Sequence, residues 1–341
     1  MKQRSKFWRN FGGAGVVRVV GAALAALALV GAPDGLEAQG LTYTKGQSIS
    51  PAYEGWTENE DGSYNLIFGY MNRNWEEEPD VPIGPNNQFS PGPADRGQPT
   101  HFLPRRNRFV FQVRVPADFG EDDELVWTLN VNGEESKAYG SLRDDYFLDN
   151  VTIMSETGTL GAGTSDPDLR AQEAPEVDLE TDSEIEAQVG QPVRLAAHIT
   201  DDGLPEAGGN QTIRGGDGLP VAEDGGLDVE RAFRMLPVRI TVDKIVGLHM
   251  TWFPYRGPEG VDVKEAIHIN PPQVHPWEDT RPFSNSPWAP FWVPPEQPED
   301  DVWEAEVTFS EPGTYVLRGR ADDGGLFTDR DVTIHVRPPT L

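Results

Sequence analysis

The sequence contains no cysteine and only five methionines in 341 residues. That removes disulfides, thiolate metal ligands, a cysteine nucleophile and a lipidated cysteine from consideration. A chain of this length without covalent staples must bury a sizeable apolar core, and the length suits two ordinary domains. Basic residues are also scarce. Lys and Arg number 28 against 56 Asp and Glu, a formal charge of −28. Such a balance repels phosphates and excludes nucleic acid as a partner. It suits solubility, cation binding or a saline exterior. Enzyme signatures are missing as well: there is no HExxH, no GxSxG and no Walker loop. The histidines, His101, His198, His249, His268, His275 and His335, offer no ligand pair at helical spacing.

Long apolar runs are confined to one place. Lys2, Arg4, Lys6, Arg9 and Arg18 flank or precede "VVGAALAALALVGA", Val19 to Ala32. The run is about 14 residues, short of the roughly 20 that a spanning helix needs. Leu36 to Ala38 then offers a small residue before a cut. This is the pattern of a secretory signal over residues 1–38, with cleavage expected after Ala38. There is no twin-arginine pair, so the general secretory route is expected. No second apolar run follows. The mature chain is therefore expected to be secreted, periplasmic or on the cell surface, with no membrane span.

What is abundant is glycine and proline, 36 and 30 residues. Between them stand short alternating runs, the pattern of an all-β protein. In "RFVFQVRV" the residues Phe109, Phe111, Val113 and Val115 are expected on one face. Leu125, Trp127, Leu129 and Val131 of "LVWTLNV" repeat the pattern and run into Asn132-Gly133, a favoured type I′ turn pair. "DGSYNLIFGYM" alternates Tyr64, Leu66, Phe68 and Tyr70 after an Asp-Gly turn. These runs predict a first β-sandwich over 41–154. The polar, acidic stretch 155–184 reads as a linker. A second sandwich is expected over 185–338, where Val193, Leu195 and Ala197 alternate, as do Tyr315, Leu317 and Gly319, then Val332, Ile334 and Val336. Two long insertions interrupt it, one rich in Gly and Asp over 203–236 and one rich in Pro and Trp over 270–301.

The pieces "GQPVRLAAHITDDGLP", "MTWFPYRGPEGV", "VTFSEPGTYVLRGRADDGG" and "DVTIHV" occur in that order in the second half. They resemble the PKD-type, immunoglobulin-like modules of bacterial secreted and surface proteins. The resemblance implies an immunoglobulin-like sandwich for the second half, so that with the first sandwich two are expected after the signal. The strand pattern agrees, placing Trp252 mid-strand where a sandwich buries a large aromatic. The two insertions depart from the compact module. The first half, around "FGYMNRNWEEEPDVPIGPNNQFSPGPADRGQPTHFLPRRNRF", resembles a module of uncharacterised secreted bacterial proteins.

In an immunoglobulin-like sandwich the B–C and F–G loops emerge at one end. "TDDGLP" would be the first and "ADDGGLFTDRD" the second, bringing Asp201, Asp202, Asp322, Asp323 and Asp329 together. Clustered carboxylates suit calcium, which takes six to eight oxygens. The same residues also serve turns, where Asp accepts backbone N–H bonds and Gly takes positive φ, and turn chemistry is the preferred reading. No other cofactor is expected. Trp277, Trp288 and Trp292 of the Pro/Trp segment are candidate ligand-binding residues able to stack on sugar rings or on a protein strand. Burial of the same tryptophans over the sandwich is the preferred alternative. Trp75 with Glu76 to Glu78, and the basic spot Arg105, Arg106 and Arg108, read first as solvated loops with intramolecular ion pairs. The expected function is non-enzymatic: adhesion, binding or structure at the cell exterior, with a protein or glycan partner held by loops. A carbohydrate-binding accessory module and a glycan-active enzyme are the alternatives, since abundant carboxylates could supply an acid/base pair.

Overall fold

The computed structural model describes residues 43–157, 170–205, 247–273 and 294–339. Six strands come first: β1 (Ile49–Glu58), β2 (Tyr64–Asn72), β3 (Asn87–Ser90), β4 (Arg105–Val115), β5 (Leu125–Val131) and β6 (Glu134–Gly140). They make two sheets, ordered β1-β2-β4 and β3-β5-β6. A single 3-10 turn, Asp144–Tyr146, and helix α1, Asn150–Thr157, follow. The chain then builds β7 (Glu176–Leu179), β8 (Glu184–Gln188), β9 (Val193–Thr200) and β10 (His249–Arg256). Helix α2 (Val263–Ala266), β11 (Ile267–Asn270), β12 (Val302–Phe309), β13 (Gly313–Asp322) and β14 (Phe327–Arg337) complete it. The second pair of sheets is ordered β10-β13-β14-β8 and β11-β12-β9-β7. The protein is thus all-β, two sandwiches of the immunoglobulin-like kind. Residues from Tyr43 onward belong to one compact unit. No helix of the described residues is long and apolar enough to cross a membrane.

Each core follows from alternation. In the first sandwich Trp127 is fully buried, edge-on to Phe111 with centroids 5.0 Å apart and stacked on Phe89 at 6.0 Å. Its indole N–H donates to the Asn87 side-chain oxygen at 3.0 Å, so the large ring is buried without stranding its polar atom. Asn132 and Gly133 both take positive φ, 54° and 80°, as a type I′ hairpin turn requires. In the second sandwich Leu195, Ala197, Trp252, Phe309, Tyr315, Leu317, Val332 and Ile334 fill the core. Gly319 is a packing requirement there, because a Cβ would stand 2.8 Å from the Trp252 ring.

Two expectations need adjustment. Phe109 does not share a face with Phe111. Arg108, Phe109 and Val110 of β4 stand opposite Gly69 alone on β2, a bulge that the registers Phe68–Phe111 and Tyr70–Asn107 enclose. Phe109 takes a φ of 51° and turns out of the core to join Ile67 and Leu148 on the outer side of the sheet. Second, the stretch read as linker already contains strand: β7 pairs with β9, upstream of Ile185. The chain then switches sheets, because β8 pairs in parallel with β14.

Candidate functional site

The acidic turns form one end of the second sandwich. At the β13–β14 turn, Asp322 accepts the Gly324 N–H at 2.6 Å, and Asp323 accepts those of Gly325 and, at 2.8 Å, Leu326. Both side chains are 1% exposed. After β9, Asp201 accepts the Gly203 N–H at 3.0 Å. Asp202 spends one oxygen on Leu204 N–H at 2.8 Å and the other on Glu173 N–H at 2.9 Å. Gly203 and Gly324 take φ of 81° and 104°. This is the turn chemistry expected of Asp-Gly pairs. The two turns do sense each other. Burial first, and the neighbouring Asp322 charge next, push the Asp323 carboxyl up to about 8, and Asp201 adds to the push. Burial also raises Asp201, with Asp202 beside it. Gln172 Nε2 lies 3.2 and 3.4 Å from the two Asp323 oxygens. Asp201 Oδ1 and Gln172 Oε1 are buried without a hydrogen-bond partner. Among the described residues no group of three or more acidic or histidine side chains is gathered closely enough to hold a metal ion.

Asp329 is placed differently. It faces Arg320 across the hairpin and binds it in bidentate fashion, 2.6 and 2.7 Å. Asp331 does the same for Arg318 at 2.7 and 2.8 Å. The two arginines are nearly buried on the outer face of β13, and they reach into the first sandwich. Arg320 donates to the Phe109 carbonyl at 3.1 Å and Arg318 to the Val110 carbonyl. The β4 bulge is what leaves these carbonyls without strand partners, so each half explains the other. Arg318 stacks on Tyr255 at 3.7 Å and Arg320 on Phe327 at 3.9 Å. The sequence carried a signal for this seam. Arg318–Asp331 and Arg320–Asp329 are opposed positions in the hairpin register.

The long β2–β4 connection completes the seam. Thr100 and His101 N–H donate to the Tyr255 carbonyl, both at 3.2 Å, and Arg256 pairs with Asp95 at 2.8 and 3.0 Å. His101 is buried with Nδ1 2.8 Å from Asp80 and Nε2 3.0 Å from Glu78. Two carboxylate acceptors require two N–H donors, the imidazolium. Burial works against the charge, but Asp80 and Glu78 outweigh it and hold the pKa up to about 9. Asp80 also accepts the Val263 N–H of α2 at 3.0 Å, and Lys264 pairs with Glu78. Within the acidic run, Glu78 is thus bound inside the molecule, and Glu77 accepts the Gly46 N–H. The basic spot is engaged too: Arg105 stacks on Trp75 at 3.9 Å, Arg106 pairs with Glu54 and Arg108 with Glu156. Trp277, Trp288 and Trp292 lie outside the described residues.

No family model matches the sequence, and none of the curated proteins does. Among solved structures the chain is similar to the PKD domain of human KIAA0319, with 11% identity and a TM-score of 0.23 over 52% of this chain and 92% of that one. It is similar to the Yersinia pseudotuberculosis adhesin InvE at 9% identity and TM-score 0.22, covering 84% of this chain and 58% of that one. Titin domains Z1Z2 in complex with telethonin match at 8% identity and TM-score 0.22, over 86% and 98%. The fold assignment rests on the sheets themselves.

Proposed function

We propose that the protein is a non-enzymatic binding or structural protein of the cell exterior, secreted or periplasmic, that presents surface turns and loops on a rigid pair of sandwiches. One observation carries this reading. The charged groups of the seam are spent on locking the sandwiches, Arg318 and Arg320 being held by Asp331 and Asp329 and bonded to the β4 carbonyls. A rigid scaffold with exposed loops is the arrangement that recognition proteins use. The test has two arms. The full chain, expressed in a bacterial host and fractionated, is expected outside the cytoplasm at a mass shortened by the first 38 residues. Purified protein is expected to be retained on isolated cell-envelope material. A full-length cytoplasmic product, or turnover of a labelled glycan library, overturns the reading. Retention on a polysaccharide that disappears in Trp288→Ala/Trp292→Ala would assign recognition to the Pro/Trp segment and make the protein a carbohydrate-binding module.

Calcium is the ion we propose for the acidic turns. An excess of acceptors supports it: Asp201 Oδ1 and Gln172 Oε1 lack donors beside the carboxyls of Asp322 and Asp323. The set is all oxygen, the chemistry of a hard cation. Binding would draw Asp201 and the Gln172 carbonyl onto the hairpin turn. The proposal leaves out Asp329, held by Arg320, and Asp202, both of whose oxygens accept backbone N–H bonds. A calcium-dependent rise in the unfolding midpoint, reversed by chelator and absent in Asp201→Asn, is the expected result. An unchanged midpoint sinks the calcium proposal and leaves the binding reading standing.

A further inference from the structure

The first sandwich carries a surface feature that its core does not need. After β6 the chain turns through "RDDYF", Arg143 to Phe147, and all five residues are exposed. Tyr146 is 43% and Phe147 51% exposed, large values for rings on a well-packed sandwich. Yet the turn is firmly built. Tyr146 N–H donates to the Arg143 carbonyl at 2.9 Å and Phe147 N–H to Asp144 at 3.1 Å. Trp56 Nε1 also donates to the Arg143 carbonyl at 2.9 Å, and Leu148 N–H bonds the Trp56 carbonyl at 2.9 Å. Tyr53 hydroxyl bonds the Ser141 carbonyl at 2.6 Å. Beneath the turn β1 shifts register between Tyr53 and Gly55. Gly55 has φ of 145°, and a Cβ there would stand 2.3 Å from the Tyr146 carbonyl oxygen and 2.6 Å from Leu148. A bulge and a glycine are thus committed to seating two exposed rings.

The rings are continuous with the interior. Tyr146 meets Tyr53 at 5.2 Å, and Tyr53 meets core Phe68 at 5.4 Å. Phe147 lies 5.1 Å from Trp56, which lies 5.5 Å from Tyr64. Exposed aromatics immobilised in this way lose little freedom on binding, the quality that marks interface anchors. Charge decides the occupant. Asp144 and Asp145 precede the rings, and among the described residues neither carboxylate has a hydrogen-bond or ion-pair partner. Arg143 stands beside them, while Glu58 and Glu60 are exposed on the neighbouring strand end. Aromatic faces beside unpaired carboxylates suit a guanidinium or ammonium group, which stacks on the ring while it pairs with the acid.

We propose that the turn Asp144–Phe147 is a docking site for an arginine- or lysine-bearing segment of a partner protein, with Tyr146 and Phe147 as stacking anchors and Asp144 and Asp145 as ion-pair partners. This rests on the reading of the chain as a binding protein and gives that reading a partner chemistry. The test titrates a labelled hexa-arginine peptide into the full chain at low salt. Tyr146→Ala/Phe147→Ala, which leaves the charge unaltered, is expected to weaken binding about tenfold, as two exposed cation–π contacts imply. Asp144→Asn/Asp145→Asn is expected to weaken it by a similar factor, and Glu121→Gln/Asp122→Asn, equal in charge but on another exposed loop, only slightly. Unfolding midpoints of the variants check that the sandwich persists. Equal binding by the ring variant and the wild type would show attraction by net charge alone and overturn the proposal. So would an equal loss in the Glu121→Gln/Asp122→Asn control, or no peptide binding at all. Any of these failures leaves retention on cell-envelope material untouched, so the two proposals fail separately.

Discussion

Asp323→Asn separates the turn chemistry of the hairpin from its cation chemistry. The side chain is 1% exposed and its carboxyl is pushed up to about 8, first by burial and then by Asp322. A carboxyl whose folded pKa is raised stabilises the fold fully below its ordinary value, and that stability is lost as the pH rises through about 8. Roughly four units at about 1.4 kcal/mol each set a ceiling of about 5–6 kcal/mol. The titration is coupled to Asp322 and Asp201, so Asp323 alone accounts for about 2–3 kcal/mol of it. Asparagine keeps an oxygen for the Gly325 and Leu326 N–H groups and has nothing to ionise. Its amide can also serve Gln172 Oε1, which is buried without a donor. In chelator at about pH 8.5 the variant should be more stable than wild type by about 2–3 kcal/mol, or about 5 °C in midpoint. At about pH 3, below the ordinary carboxyl value, the difference should vanish. Millimolar calcium should reverse the order, because only the wild type offers it the carboxylate. Chemical denaturation across this range, in chelator and in calcium, reads all three. A variant less stable than wild type at the alkaline end in chelator, or a difference that ignores pH, would refute the reasoning.

Three further outcomes follow from the seam and the surface turn. Arg318→Met and Arg320→Met should each cost about 2 kcal/mol, less than a fully buried pair because Asp329 and Asp331 keep partial contact with water. Together they should split urea unfolding into two transitions, whereas one unchanged transition would contradict a seam held by these bonds. The His101 imidazolium, raised to about 9, contributes stability that is complete below its ordinary value near 6.5 and is lost as the pH rises through about 9. His101→Gln should flatten that alkaline limb in denaturation midpoints, and an unaltered limb would assign the loss elsewhere. Gly55→Ala should cost about 2–4 kcal/mol in thermal unfolding, from the left-handed φ and the clash with Tyr146. Full stability in that variant would mean that the Asp144–Phe147 turn is not rigidly seated.

Where a strand has one core to face, alternation was sufficient to read it. Leu125, Trp127, Leu129 and Val131 all point inward, and Trp252 is buried in mid-strand. Alternation failed at Phe109 because a bulge is a disagreement between two strands, and no local feature of "RFVFQV" records what β2 places opposite. The aspartates of the hairpin need the same view across strands. In "RGRADDGGLFTDRD" the carboxylates look available when counted along the chain. Folding the segment at its turn sets Asp329 against Arg320 and Asp331 against Arg318, leaving only Asp322 and Asp323 in the turn itself. An aspartate in a hairpin is thus free or spent according to the residue across from it, which the sequence shows once the turn is located.

The seam goes one step further than a hairpin can. Its bonds join Arg318 and Arg320 to carbonyls more than two hundred positions away. Neither end is arranged by the other. The arginines are oriented by aspartates of their own sheet, and the carbonyls are released by a bulge internal to β4. Each surface is therefore oriented by bonds within its own sandwich, which leaves little side-chain freedom to be lost in the contact. The bulge that would weaken an isolated β4 edge becomes the acceptor that a neighbouring sandwich requires. Two sandwiches joined in this way make one platform, on which described turns such as Asp144–Phe147 are seated by backbone and indole hydrogen bonds.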